Sequence, residues 1–410
     1  MDHATDWAGA VRAAWTAGRD AAPDPVALGL ADADRHVLAE PLVTRSDLPA
    51  FPTSSVDGWA VRGKGPWRVT GQVLAGAQPP PLDADGDCVE IATGAMVPAG
   101  TTAIVRVEES TTGGDGRVTG RPRDKREWRE PGEEAAAGEG LAPAGSPVTP
   151  ALVGLAAACG YDELLVRRRP RAEVLVFGDE LRSAGLPGRG RVRDALGPQV
   201  PAWLRRLGAD VDGPAVGPGT DTLEGHLRAI SSARDKGADL ICTTGGTMRG
   251  PVDHLHPALA ELGGEYVVDA VAVRPGFPML LAAVPAPGGR TGLVAGLPGN
   301  PQSAVVALMT LVAPLLAGWL GHPARHLAAF PRIRLGAPVP GRGDQTHLAL
   351  VRHDPSAGLA YPLPHAGSAM LRGLAGAVGF AVIEPGTDAA AGAEVPLLPL
   401  PLLPGELPCW

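Results

Sequence analysis

The sequence predicts a multidomain α/β protein. Its parts are a doubly wound parallel sheet domain, an inserted β-rich domain, a mainly helical N-terminal domain and a small C-terminal β-barrel domain. Three observations predict this. Near-continuous apolar runs, AEVLVF at 172–177, ADLICTT at 238–244 and TGLVAGL at 291–297, alternate with helical patterns, as buried parallel strands do. Between about 50 and 135, short β-patterned segments alternate with Gly/Pro turns, and from about 326 that pattern returns. At 410 residues the chain exceeds one ordinary domain.

Each element follows in order. Residues 4–22 read as an amphipathic helix, with Trp7, Val11 and Trp15 at helical spacing. TPALVGLAAACGYDELLV, 149–166, returns to helix from a Thr-Pro start, so 1–49 plus 142–168 form the expected helical linker and dimerisation domain. Residues 50–141 form the β-rich domain, with strands in WAVRG, WRVTGQVLAG, DCVEIATGA, TAIVRVEES and GRVTGRPR. The charged run 124–140 reads as a solvated connection. Residues 169–325 form the α/β domain, with helices at 198–207, 221–236 and 253–262, a short strand in ADVDG and a long helix from 302. Residues 326–410 form the C-terminal β-domain.

Composition narrows the function classes. The net charge is −8 with no long basic block, which argues against a nucleic-acid binder. The four cysteines, Cys88, Cys159, Cys242 and Cys409, lack zinc-site spacing and read as reduced thiols of a cytoplasmic protein. The N-terminus has no signal-peptide pattern. SAVVALMTLVAPLLAGWL, 303–320, has nearly the length of a membrane span but contains Pro314, and reads as a buried helix; no membrane partner is expected.

Open α/β sheets bind ligands at the carboxyl ends of their strands. Three strand ends carry unusual loops: Gly178-Asp179-Glu180, TTGGTMRGPVD at 243–253, and GLPGNPQS at 296–303. Each alone reads as a turn or a helix start, Asn300 capping and Pro301 opening the helix. Together they suggest a pocket. Gly245, Gly246 and Gly250 let backbone N–H groups approach a ligand. The helix after Pro301 offers an anion site at its N-terminus. Glu180, Asp253 and Asp179 offer hard oxygen ligands for Mg2+, and Arg249 and Arg274 offer charge for an anion. The expected ligand is phosphorylated and nucleotide-sized. There is no P-loop, and no GxGxxG follows the first strand.

A stretch at 48–63, LPAFPTSSVDGWAVRG, opens the β-rich domain with two prolines and an Asp57-Gly58 turn. SSVDGWAVRG resembles the S-x-M-D-G-Y-A signature of the molybdopterin molybdenumtransferases, to which the C-terminal part of gephyrin also belongs. ATGAMVPAGTTAIVRVEE (92–109) resembles that family's T-G-A stretch. The likeness continues through FGDEL, TTGGTMRGPVD, VRPGFP, GLPGNPQSA and GSAMLRGLAGAVGFAVIEPG, in the family's order and over essentially the whole chain.

The resemblance implies a Mg2+-dependent enzyme that takes molybdate and adenylated molybdopterin and releases AMP and molybdenum cofactor. It implies a homodimer in which the β-rich lid closes over the partner's α/β domain, and a molybdopterin adenylyltransferase as substrate donor. By position, Asp57, Thr93, Glu180 and Asp253 match the catalytic residues, with Glu180 and Asp253 at the metal. Ser54, Gly178, Asp179, Gly245, Gly246, Thr247, Arg249, Gly250, Arg274, Pro298, Gly299, Asn300, Pro301 and Ser303 match the substrate-binding set. Several positions depart from the pattern. The family's K-P-G-K-P reads Arg274-Pro275-Gly276-Phe277-Pro278, which removes the second cation. Met248 replaces a serine, Val56 and Trp59 flank Asp57-Gly58, and D-S-N reads Asp194-Ala195-Leu196. Two alternatives stay open: a degenerate paralogue that binds pterin or nucleotide as a scaffold, and a hydrolase of another adenylylated metabolite.

Overall fold

The computed structural model describes residues 4–250, 253–324 and 327–402. The chain forms two compact units: residues 27–34 with 40–166, and the remainder.

The core of the larger unit is a six-stranded sheet ordered Val216–Gly219, Ala172–Phe177, Leu240–Thr244, Arg290–Leu297, Leu280–Ala286, Glu265–Val268. The three apolar runs are its central strands and pair in parallel, Val174 with Cys242 and Cys242 with Ala295. Their register brings Val176, Thr244 and Leu297 level at one edge, which is why the three loops emerge together. The sheet is not wholly parallel: Leu280–Ala286 runs antiparallel to both of its neighbours, Arg290–Leu297 and Glu265–Val268. ADVDG contributes only an isolated bridge at Asp210, and the outer strand comes from Val216–Gly219.

The first helix, Trp7–Ala21, starts at Asp6, whose carboxylate accepts from Gly9 N at 2.7 Å. It does not join a separate helical domain. Trp7, Ala10, Val11 and Ala14 bury into the α/β core, and Trp7 Nε1 donates to Thr310 Oγ1 at 3.0 Å. A Trp and small residues on one stripe suit close helix packing. The partner is Pro301–Trp319, a fully buried helix containing a π-turn at Leu308–Val312. Among the described residues it alone is long and apolar enough to cross a membrane.

The C-terminal strands Thr346–Asp354, Gly379–Ile383, Glu394–Pro399 and Arg332–Arg334 form a further sheet, with Leu359–Pro362 on its flank. A bridge from Leu335 to Ala360 brings its outer strands together. Val273–Arg274, from the α/β stretch, joins this sheet beside Thr346–His347. The tail beyond Leu402, with Cys409, lies outside the described residues.

The smaller unit is built on a six-stranded sheet ordered Ala103–Arg106, Gly58–Val61, Asp87–Ile91, Trp67–Val73, Arg117–Gly120, Ser110–Thr112. Alternation places Ala60, Val89 and Ile91 in one core and Val61, Cys88 and Val105 in another. Within the expected helical segments the structure has one helix here, Pro150–Ala158, capped by Thr149; Glu163–Arg167, read from the sequence as the end of that helix, is a strand, and a shorter one is Leu42–Val43. Strands of two or three residues are too short to show a period. The charged run is not simply solvated either. Trp128–Arg129 pairs with Thr53–Ser54, and Glu127, 4% exposed, accepts from Arg106 at 3.0 and 2.9 Å.

Candidate functional site

The strand-end loops owe their shape to glycine. Gly245 and Gly246 have φ of 85° and 62°, a left-handed region closed to most side chains, and Gly245 N donates to Leu297 O at 2.9 Å. The turn therefore ties the Leu240–Thr244 strand to the loop that holds Pro298. Beyond it, Thr247 is buried, and its carbonyl accepts from His256 Nε2 at 3.2 Å. With that proton on Nε2, His256 Nδ1 accepts from the Tyr266 hydroxyl at 2.7 Å. His256 is thus a buried support of the Gly-rich loop. Nothing in its sequence neighbourhood signals this, because Tyr266 lies ten residues on.

Arg249 is not free for an anion. Its guanidinium is paired with the Asp269 carboxylate at 2.6 Å. Asp253 Oδ2 accepts from Gly250 N at 2.9 Å, so one of its oxygens serves the loop. Glu180 is exposed, and its carboxylate makes no hydrogen bond or ion pair among the described residues. No group of three or more His, Cys, Asp or Glu is arranged for a metal ion among the described residues.

A cavity of about 860 Å³ gathers part of the expected set: Arg274, Pro298, Asn300 and Ser303 line it, with Phe277 and Met248. It also holds three residues that sequence reasoning missed, Arg342, Gln345 and His347. Pairing of Val273–Arg274 with Thr346–His347 puts Arg274 there, and its Nε donates to Gln345 Oε1 at 2.6 Å. The Arg274 guanidinium lies 5.6 Å from the Phe277 ring centroid, within cation–π range. Two arginines and no acid line this cavity, so it favours an anion. Burial, with some help from Arg342, holds the His347 imidazole below its usual pKa, although Nδ1–H donates to Pro340 O at 2.7 Å.

The helix end at Pro301 is not an open anion site. Gln302 N and Ser303 N donate to the Ser368 carbonyl at 3.0 and 3.4 Å, and the Asn300 side chain makes no cap bond. A backbone oxygen from the C-terminal domain does the capping, which no local pattern reveals. Gly178 and Asp179 line a separate cavity of about 470 Å³ with Arg182, Arg191 and Thr220.

Beside these loops, His226 is fully buried and stacks on Phe177 at 3.7 Å between ring centroids. Its Nδ1–H donates to Thr222 O at 3.0 Å, which leaves Nε2 as an acceptor. Nε2 lies 4.0 Å from Asp221 Oδ1, and both atoms are buried without a partner. Burial raises the Asp221 carboxyl and lowers the His226 imidazole.

In the smaller unit, the Asp57-Gly58 turn and the T-G-A loop meet. Asp57 Oδ1 accepts from Thr93 N at 2.7 Å and from Thr93 Oγ1 at 3.0 Å. The backbone bond first, then the hydroxyl, holds the Asp57 carboxyl below its usual range. Ser54, expected at the substrate, is 1% exposed and donates its hydroxyl to Val56 O at 2.7 Å. It shapes the turn that presents Asp57. Asp194, in the altered D-S-N stretch, caps its helix by accepting from Leu196 N and Gly197 N at 3.0 and 2.8 Å. Two of the thiols are held protonated: burial raises Cys242 to about 12 and Cys88 to about 11.

Comparison with known proteins matches this arrangement along the whole chain. Residues 8–160 match the "MoeA N-terminal region (domain I and II)", 173–318 a "Probable molybdopterin binding domain", and 332–400 the "MoeA C-terminal region (domain IV)". Molybdopterin molybdenumtransferase 2 of Mycobacterium tuberculosis is 34% identical over 393 residues, covering 90% of this chain and 94% of its own. Molybdopterin molybdenumtransferase of Synechococcus elongatus is 33% identical over 295 residues, covering 68% and 72%. The molybdopterin biosynthesis MoeA protein of Pyrococcus horikoshii shares the fold with a TM-score of 0.76, at 24% identity over 96% of this chain and 98% of that one. The motif order read from the sequence, the strand-end loops and these matches agree, and the chain belongs to the molybdopterin molybdenumtransferase family.

Proposed function

We propose that this chain inserts molybdenum from molybdate into adenylated molybdopterin and releases AMP. The observation that carries the reading is the acid-free cavity of about 860 Å³, with Arg274 and Arg342 in its lining. Molybdate is a dianion. Where Phe277 removes one cation of the family pattern, Arg342 supplies another from the C-terminal domain. Gln345 orients Arg274 through the 2.6 Å bond to its Nε, which leaves the remaining guanidinium N–H groups for an oxyanion.

Cleaving a phosphoanhydride requires positioning and charge neutralisation more than a strong nucleophile. The Gly245–Gly246 turn admits the substrate close to backbone, and His256 and the Arg249–Asp269 pair hold the loop that follows. Glu180, with a free carboxylate, and Asp253, with one oxygen uncommitted, fit Mg2+ of the kind held by one or two carboxylates and substrate oxygens. They would hold it, and it would neutralise phosphate charge. Asp57, kept ionised by Thr93, is the lid's contribution. The family pattern supports a homodimer in which that lid serves the partner's α/β domain, supplied by a molybdopterin adenylyltransferase.

The test is turnover. Protein with Mg2+ and adenylated molybdopterin should release AMP and form active cofactor only when molybdate is added. AMP release independent of molybdate would instead support a hydrolase of adenylylated metabolites. Binding without turnover would support a scaffold.

A further inference from the structure

We propose that the cavity beside Asp179 is a phosphoryl subsite in which Arg182 and Arg191 hold the phosphate of the adenylated substrate. The assignment to that substrate rests on the function proposed above. The segment 181–193 carries Arg182, Arg189, Arg191 and Arg193, in a chain of net charge −8. None of these four forms an ion pair among the described residues, and their hydrogen bonds go only to backbone carbonyls. Arg191 Nη1 donates to Asp179 O at 2.9 Å, and Arg182 Nη1 to Leu186 O at 3.4 Å. A guanidinium has five N–H donors, so each is anchored by one and keeps others to offer. That fork matches the oxygens of a phosphate.

The place suits a ligand. The cavity, about 470 Å³, has the size of a small-molecule site. Ser183 and Thr220 join the two arginines in its lining, and neither hydroxyl has a partner among the described residues. It opens where Phe177 pairs with Gly219, at the carboxyl ends of two parallel strands. The helix Leu223–Asp235 begins three residues after Thr220 and adds its positive end. One acid, Asp179, lines the cavity, and Glu180 and Asp221 interact electrostatically nearby. Those carboxylates disfavour a bare anion and favour a phosphate that arrives with a divalent cation.

Calorimetry on the full chain with Mg2+ tests this, using AMP and, separately, inorganic phosphate. The variants are Arg182→Gln with Arg191→Gln, and Arg352→Gln on a distant strand as control; unchanged melting temperatures establish that all fold. The proposal expects AMP binding to weaken at least tenfold in the double variant, to hold in the control, and to lose its salt dependence with the two charges. AMP binding that is absent in the parent chain, or equal in parent and double variant, overturns it. Phosphate binding as tightly as AMP through the same arginines overturns the assignment to the nucleotide substrate. A parent chain that binds AMP through these arginines yet makes no cofactor sinks the proposed function and leaves the subsite standing.

Discussion

Replacing Arg342 with Met should raise the KM for molybdate with little change in kcat. Met keeps an apolar stem and removes one of the two guanidiniums in the cavity. Unit charges about 4 Å apart interact by about 4 kcal/mol at an effective dielectric of about 20. Arg342 is exposed, so screening reduces this toward the ~1.5–3 kcal/mol typical of a hydrogen bond to a charged group. That corresponds to roughly a 10- to 100-fold rise in KM. The side chain makes no hydrogen bond or ion pair among the described residues, so the fold should survive. The assay is cofactor formation against molybdate concentration at saturating adenylated molybdopterin. A KM within about twofold of the parent's, or a fall in kcat at constant KM, would refute the view that Arg342 replaces the cation lost at Phe277.

Thr93→Val removes the hydroxyl bond to Asp57 and keeps the backbone one. The Asp57 carboxyl should rise toward its ordinary value, so the acid limb of the pH–rate profile should move to higher pH; an unmoved limb counts against a role for ionised Asp57. His226 has a lowered pKa, so the unfolded chain takes up its proton first and stability falls as pH drops below about 6.5. His226→Phe keeps the ring stack and should flatten the decline in melting temperature between pH 7.5 and 5.5, in part only, since His347 acts in the same sense; an unchanged slope refutes it. A Cβ on Gly18 would overlap the Leu315 carbonyl, and one on Gly318 the Trp15 carbonyl. Gly18→Val should therefore cost ~1–3 kcal/mol or more and lower the melting temperature by several degrees. No change would mean the two helices are not in such close contact.

The sequence carried the fold where one local signal was strong. AEVLVF, ADLICTT and TGLVAGL are strands because long β-branched and apolar runs have few alternatives. The helix after Thr149-Pro150 starts where its cap predicts. Leu280–Ala286 is as apolar as these, but nothing local marks it as antiparallel; its direction follows from the tight return at Pro287–Gly289. The site was legible as motifs, not as contacts. Asp57 and Thr93 belong to separate motifs that the structure joins. Arg249 looked like a free cation because Asp269, twenty residues on, is its partner only in the folded chain. Ser368 capping the Pro301 helix, and Arg342 beside Arg274, depend on packing of the C-terminal sheet against the α/β stretch, which no spacing encodes.

The central claim is best tested by mixing the purified chain with Mg2+ and adenylated molybdopterin, with and without molybdate, and measuring AMP and active cofactor together. The account predicts that both appear, in step, only when molybdate is present. AMP released equally without molybdate, or no cofactor despite tight substrate binding, would contradict it.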